Sequence, residues 1–160
     1  MKLLFMDVDG TLTDGKIHIS NSGELFKSFD VKDGYAIGQM MPRLNIIPVI
    51  ITGRESEIVL NRAKELEIIE VYQNCSDKKT AMISIAERYG LYLSERTMKI
   101  PNTMYLGDDI PDLECMKIAE MSGCPYDAVD AVKSQCQFVG LKKGGDGFVR
   151  EFVEYIIKNR

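Results

Sequence analysis

The stretch FMDVDGTLTDG, residues 5–15, decides how this chain is read. An apolar run, Leu3-Leu4-Phe5-Met6, stops at two aspartates spaced by one residue, Asp7 and Asp9, and a glycine and a threonine follow at once. The run reads as a buried strand with two carboxylates at its end. Buried carboxylates are costly unless something cationic compensates them. A metal ion or a basic partner is therefore expected from elsewhere in the sequence.

Working outward, apolar runs alternate with amphipathic segments. The strand-like runs are 2–8, 46–52, 68–73, 103–107 and, more weakly, 137–141, with a further short strand at Met121–Cys124. Helical patterns lie between them at 33–44, 55–67, 77–90, 111–121, 126–135 and 147–159. In the second of these, Ile58, Val59, Ala63 and Leu66 keep close to a 3.6-residue period. Continuous apolar strands separated by helices predict a parallel sheet covered on both faces, a doubly wound, Rossmann-like α/β fold. Residues 16–29 break the alternation: two short runs flank Asn21-Ser22-Gly23 and predict a protruding β-hairpin. No repeat, linker or low-complexity tract interrupts residues 1–160, so one domain is expected.

Composition narrows the function. A net charge of −4 gives no reason to expect nucleic acid. No apolar stretch approaches the ~20 residues needed to span a bilayer, and the first residues lack the pattern of a secretory signal. With no CxxC pairing, Cys75, Cys115, Cys124 and Cys136 are expected to be reduced thiols of a cytoplasmic protein. The nine methionines read as core filler.

In an open parallel sheet, ligands gather beyond the carboxyl ends of the strands. Asp7 and Asp9 close the first strand, Thr52-Gly53-Arg54 the second, and Gly107-Asp108-Asp109 the 103–107 strand, with Asp112 about one helical turn on. Lys78 and Lys79 follow the third strand near a helix start. Each piece alone has a plainer reading. Thr52 could cap a helix, Asp109 and Asp112 could serve the first turn of another, and the lysines could be solvated. Together they suit phosphoryl transfer. A carboxylate attacks phosphorus, and a second one protonates the leaving alcohol and then deprotonates water. A hydroxyl and an ammonium hold the phosphoryl oxygens, and Mg²⁺ suits the crowd of acids.

The segments DVDGT, ITGR, a lysine at a helix start and GDDIPD, in that order, resemble the four motifs of the haloacid dehalogenase superfamily of phosphatases. VKDGYAI, YQNCSDK and KKGGDGFVRE further resemble the 3-deoxy-octulosonate 8-phosphate phosphatase group, which includes nonulosonate 9-phosphate phosphatases and domains associated with acylneuraminate cytidylyltransferases. The resemblance covers nearly the whole chain. It implies that Asp7 is the nucleophile and Asp9 the general acid/base. Asp7, Asp108 and the backbone carbonyl of Asp9 would hold Mg²⁺. Thr52, Gly53 and Lys78 would bind phosphate, with Lys79 the alternative lysine, and Arg54 could meet a substrate carboxylate. Asp109 and Asp112 would stand behind this set, Asp112 orienting water or Lys78.

The spacings leave no room for the cap domain of larger relatives. Asp9 to Thr52 holds only the hairpin, one helix and a strand, and Lys78 to Asp108 only a helix, a loop and a strand. In the resembling group the hairpins assemble a tetramer and a neighbouring subunit covers each site, so a homotetramer with sites at subunit interfaces is expected. Asn74 stands where the group has glycine, and asparagine tolerates positive φ. The group's further C-terminal tail is not among these residues, which run to Arg160. The implied function is a Mg²⁺-dependent phosphomonoesterase acting on a phosphorylated eight- or nine-carbon 2-keto-3-deoxy sugar acid. The alternatives are a phosphatase for another sugar phosphate and an idle, oligomerising partner of a sugar-nucleotide synthetase.

Overall fold

The computed structural model describes residues 1–159. Its strands are β1 (Lys2–Met6), β2 (His18–Ser20), β3 (Gly23–Phe26), β4 (Ile46–Ile51), β5 (Glu70–Tyr72), β6 (Ile100–Leu106), β7 (Ala119–Cys124) and β8 (Phe138–Val139). The helices are α1 (Val31–Tyr35), α2 (Met41–Arg43), α3 (Glu57–Glu65), α4 (Lys78–Arg88), α5 (Leu113–Ile118), α6 (Asp130–Lys133) and α7 (Phe148–Lys158). A π-helical turn, Ala36–Met40, joins α1 to α2 just before Pro42, which has no N–H to continue the helical ladder.

Six strands form one parallel sheet in the order β5-β4-β1-β6-β7-β8. The chain starts in the middle, builds outward through β4 and β5, then returns to β6 on the other side. The order therefore reverses beside β1, and the crevice of a doubly wound sheet forms at such a reversal. Alternate side chains of the central strands feed two cores. Leu4 and Met6 join Ile37, Val59, Phe148 and Phe152 on one face, and Leu3 and Phe5 join Met82, Ile85, Tyr105 and Met116 on the other. Both faces of β1 are thus dry, as its uninterrupted apolar sequence predicts.

The hairpin is present as β2 and β3, paired antiparallel around Asn21-Ser22, with His18 and Phe26 stacked at 4.1 Å. Among the described residues, no folded insertion other than this hairpin stands between β1 and β4, and none stands between α4 and β6. Among the described residues, no helix is long and apolar enough to cross a membrane.

Several boundaries differ from the expectation: β6 opens at Ile100 rather than 103, β5 is only Glu70–Tyr72, and the helix expected over 33–44 opens at Val31. Two further differences have a plain cause. The helical pattern over 111–121 stops at Ile118, and Ala119 turns directly into β7 with φ −65° and ψ 145°. Pairing with β6, Ala119 beside Ile100 and Met121 beside Met104, outweighs local helix propensity there. Of the segment 126–135 only Asp130–Lys133 is helical, because the residues before it turn back, with the Val129 N–H bonded to the Asp108 carbonyl at 3.0 Å.

Asp33 lies buried under the start of α7 and accepts the Arg150 N–H at 2.8 Å, while its second oxygen has no hydrogen-bond partner among the described residues. Burial lifts its pKa to about 6, against the pull of the α7 backbone N–H groups. The folded state therefore holds this proton where the unfolded chain has lost it, and stability falls as pH rises from about 4 to about 6. Asp33→Asn is expected to gain stability relative to the parent across that window, read from urea midpoints at successive pH values. Parallel profiles would refute this account of Asp33.

Candidate active site

Met6 is the last residue of β1, and the Asp7 N–H still bonds to the Leu106 carbonyl at 2.9 Å, so the ladder fixes the backbone at the point where Asp7 leaves the sheet. Past it, the N–H groups of Thr11, Leu12 and Thr13 converge on the Val8 carbonyl, curling residues 8–13 into a tight loop. Gly10 sits in that loop at φ +96°, and a Cβ there would overlap the Asp108 carboxylate. The glycine is needed twice, for the turn and for the approach of the neighbouring strand's acid.

Three carboxylates meet at this rim. Single oxygens of Asp7, Asp108 and Asp112 lie within 4.8 Å of one another. The Lys78 ammonium, from the first turn of α4, donates to Asp7 Oδ1 and to Asp112 Oδ1, both at 2.8 Å. Asp112 is the most heavily committed of the three. Its Oδ1 also accepts from the Tyr105 hydroxyl at 2.9 Å, and its Oδ2 accepts the N–H groups of Asp108 and Asp109 at 3.0 and 3.3 Å. Asp7 and Asp108 each have one side-chain hydrogen-bond partner among the described residues, Lys78 and Thr11 respectively.

One ammonium does not neutralise this cluster. Burial, and then the charge of Asp112, push the Asp7 carboxyl up to about 7 although Lys78 pulls it down. Asp108 rises to about 8 through burial and the charges of Asp7 and Asp112. Burial alone would lower the Lys78 pKa, but the two aspartates reverse it and hold the side chain firmly protonated. The donor set of hard carboxylate oxygens with surplus negative charge fits a divalent cation such as Mg²⁺ or Ca²⁺ better than a soft metal.

The remaining expected residues line the same open cleft: Asp9, Thr52, Gly53, Arg54 and Asp109. Thr52 is buried at the end of β4 and Gly53 is exposed beside it. Asn74 closes the adjoining loop at φ 51°, as its identity predicts, and Cys75 N–H bonds to the Thr52 carbonyl at 3.0 Å. Asp109 caps the turn Ile110–Asp112 through the Ile110 N–H, which answers for its side chain. Of the two lysines, Lys78 faces the acids and Lys79 points away to Glu114 at 3.4 Å. Asp9 does not join the acidic triad through its side chain. Its carboxylate lies 2.5 Å from the Lys27 ammonium and 3.7 Å from Arg54 Nε.

Sequence reasoning passed over three contributors. Lys27 follows β3 and looked like part of an ordinary hairpin. Thr11, whose hydroxyl donates to Asp108 Oδ1 at 3.1 Å, lies inside the quoted motif and could have been noticed there. Tyr105 alternates into a core face and carried no polar signal. The segment 142–147 packs behind the loop, with Gly145 N–H on the Thr11 carbonyl at 3.1 Å and Gly144 too close to Gly10 for any side chain.

No family model matches the chain. It is 34% identical over 157 residues to the 3-deoxy-D-manno-octulosonate 8-phosphate phosphatase of Salmonella typhi, covering 98% of this chain and 79% of that one. Among solved structures it superposes on the Moraxella catarrhalis 3-deoxy-D-manno-octulosonate 8-phosphate phosphatase, in complex with magnesium, phosphate and the sugar acid, with TM-score 0.90 and 37% identity. That match covers 100% of this chain and 87% of the other. The cobalt-bound Haemophilus influenzae deoxy-D-mannose-octulosonate 8-phosphate phosphatase gives 0.89 at 32% identity, over 99% and 88%.

Removing Lys78 strands two buried acids, a change that typically costs ~3–5 kcal/mol. Lys78→Met is expected to lower the melting temperature sharply at neutral pH and to lose less in mild acid, whereas Lys79→Met melts with the parent. Equal melting of the two variants would show that the buried lysine does not hold the cluster.

Proposed function

The chain belongs to the 3-deoxy-D-manno-octulosonate 8-phosphate phosphatase family and is a phosphatase; on that premise we propose that it hydrolyses octulosonate 8-phosphate through an aspartyl-phosphate at Asp7, with Mg²⁺ as cofactor. The observation that carries the reading is Lys78 held between Asp7 and Asp112 beside Asp108, at the mouth of a cleft also lined by Asp9, Thr52 and Arg54. The magnesium, phosphate and sugar acid bound by the Moraxella relative support it.

In this reading Asp7, Asp108 and the Asp9 carbonyl hold Mg²⁺, which when bound offsets the charge of the acids and of the phosphoryl group. Lys78 and the Thr52 hydroxyl donate to the non-bridging phosphoryl oxygens, with the backbone at Gly53 beside them. An Asp7 carboxylate oxygen attacks phosphorus as the bond to the sugar oxygen breaks, and Asp9 gives that oxygen its proton. Water then attacks the acyl phosphate, its proton passes to Asp9, and phosphate leaves with Asp7 restored. Arg54, half-exposed at the cleft mouth, offers a planar fork to the sugar carboxylate.

Phosphate release from octulosonate 8-phosphate, nonulosonate 9-phosphate and hexose 6-phosphates should be Mg²⁺-dependent and rank octulosonate first by kcat/KM. Asp7→Asn should fall to background. Turnover by Asp7→Asn near an active parent's rate would exclude the covalent route through Asp7, whereas equal, background-level release from both would leave an idle scaffold as the reading.

We further propose a homotetramer in which a neighbouring subunit closes each site. Support comes from the hairpin, where Ile19, Leu25 and Phe26 are largely exposed, and from the open cleft, since this chemistry benefits from excluded water. A two-stranded ribbon alone is marginal in water. Light scattering should give four times the chain mass, and Ile19→Glu with Leu25→Glu should lower both mass and kcat. A fully active monomer would remove this account of closure.

A further inference from the structure

Lys27 and Lys78 are the two buried lysines among the described residues, and only Lys78 is explained by the phosphate site. The Lys27 side chain is 2% exposed, with its ammonium 2.5 Å from Asp9 Oδ1 and 3.1 Å from Glu24 Oε1. Glu24 is anchored in turn: its other oxygen accepts the Ser56 hydroxyl. Ser56 caps α3 through the Val59 N–H and gives its own N–H to Gln73 at 2.7 Å. A chain of polar contacts thus runs from the start of α3, through the hairpin, to the carboxylate of Asp9.

A buried lysine is weak evidence for stability, because desolvation consumes most of what its ion pairs return. Its placement is more informative. Asp9 stands apart from the triad that could hold a cation, and the Asp9 carboxylate has no hydrogen bond from the loop that carries it among the described residues. Its direction is set from outside, by Lys27 on one oxygen and by Arg54 near the other. A proton donor works only when held within hydrogen-bond reach of the atom it serves.

We propose that Lys27 is a positioning residue that aims the Asp9 carboxyl at the leaving-group oxygen, its own place being fixed by Glu24 and Ser56. The inference rests on the reading of Asp9 as the acid/base. Lys27 takes no part in proton transfer: Asp9 alone gives one proton to the sugar oxygen as the phosphorus–oxygen bond breaks and recovers one from water.

Leaving-group dependence separates this role from a merely structural one. A sugar alkoxide needs its proton, while p-nitrophenolate departs without one, so a misplaced acid should lower kcat/KM, which ends at departure of the leaving group, only for the sugar phosphate. The later attack of water, shared by both substrates, does not enter that ratio. Lys27→Met is expected to lower kcat/KM for octulosonate 8-phosphate by about 10- to 100-fold, with p-nitrophenyl phosphate changed by less than about 3-fold. Lys27→Arg should recover part of the loss. Equal losses on both substrates, or none on either, would overturn the proposal. Should Lys27→Met fail to fold by thermal melting, Glu24→Gln, which keeps the lysine but loosens its hold, is read by the same two ratios. Asp9→Asn run alongside assigns any failure. If it spares p-nitrophenyl phosphate and Lys27→Met does not, Lys27 alone is misassigned; if it shows no preference either, the acid/base reading falls and the proposal with it.

Discussion

The ammonium of Lys78, shared between Asp7 and Asp112, is the interaction on which the rest of the site depends. At separations within 4.8 Å, a pair of like charges costs about 3 kcal/mol even at an effective dielectric near 20. Three acids and one lysine therefore leave a deficit of positive charge, expressed in the raised carboxyls of Asp7 and Asp108. A phosphate monoester would add further negative charge to the same place. A site of this composition repels its proposed substrate unless a divalent ion is present, so the electrostatics of the protein alone make the case for one.

The fold is what allows such a crowd. Asp7 and Asp108 leave neighbouring parallel strands at the point where strand order reverses, which puts both acids on one rim without any excursion of the backbone. Two glycines remove the obstacles: Gly10 gives room to the Asp108 carboxylate and Gly107 to the Asp112 side chain. Asp112 then acts as the fixed point. Its oxygens take donors from Lys78, Tyr105 and the backbone of Asp108 and Asp109, so a core tyrosine and a turn hold the lysine's second partner still.

Much of this was legible because strand ends can be read from apolar runs, and polar residues just beyond them share a rim by topology alone. That logic placed Asp7, Asp9, Thr52, Asp108 and Lys78 together without coordinates. It could not separate Lys78 from Lys79, since neighbours at a helix start differ only in which way they face, and in the fold only Lys78 is buried against the acids. It missed Lys27 because the contact spans 18 positions and comes from an element outside the sheet. The early onset of β7 escaped for a related reason: residues 119–121 carry a helical pattern locally, and only the β6 edge makes them a strand.

The hairpin joins two properties that the sequence keeps apart. Its Ile19, Leu25 and Phe26 leave apolar surface exposed, while its Glu24 and the adjacent Lys27 reach inward to Ser56 and Asp9. A ribbon this short has little stability of its own, so whatever orders it also orders the lysine at its base. Assembly and acid placement would then share one element, and a subunit contact would contribute to catalysis without lending a residue to it. The cost of losing the contact would appear as a loosely held Asp9 rather than as a missing group. Such a chain, lacking the inserted cap of its larger relatives, would gain from its neighbours both enclosure and order.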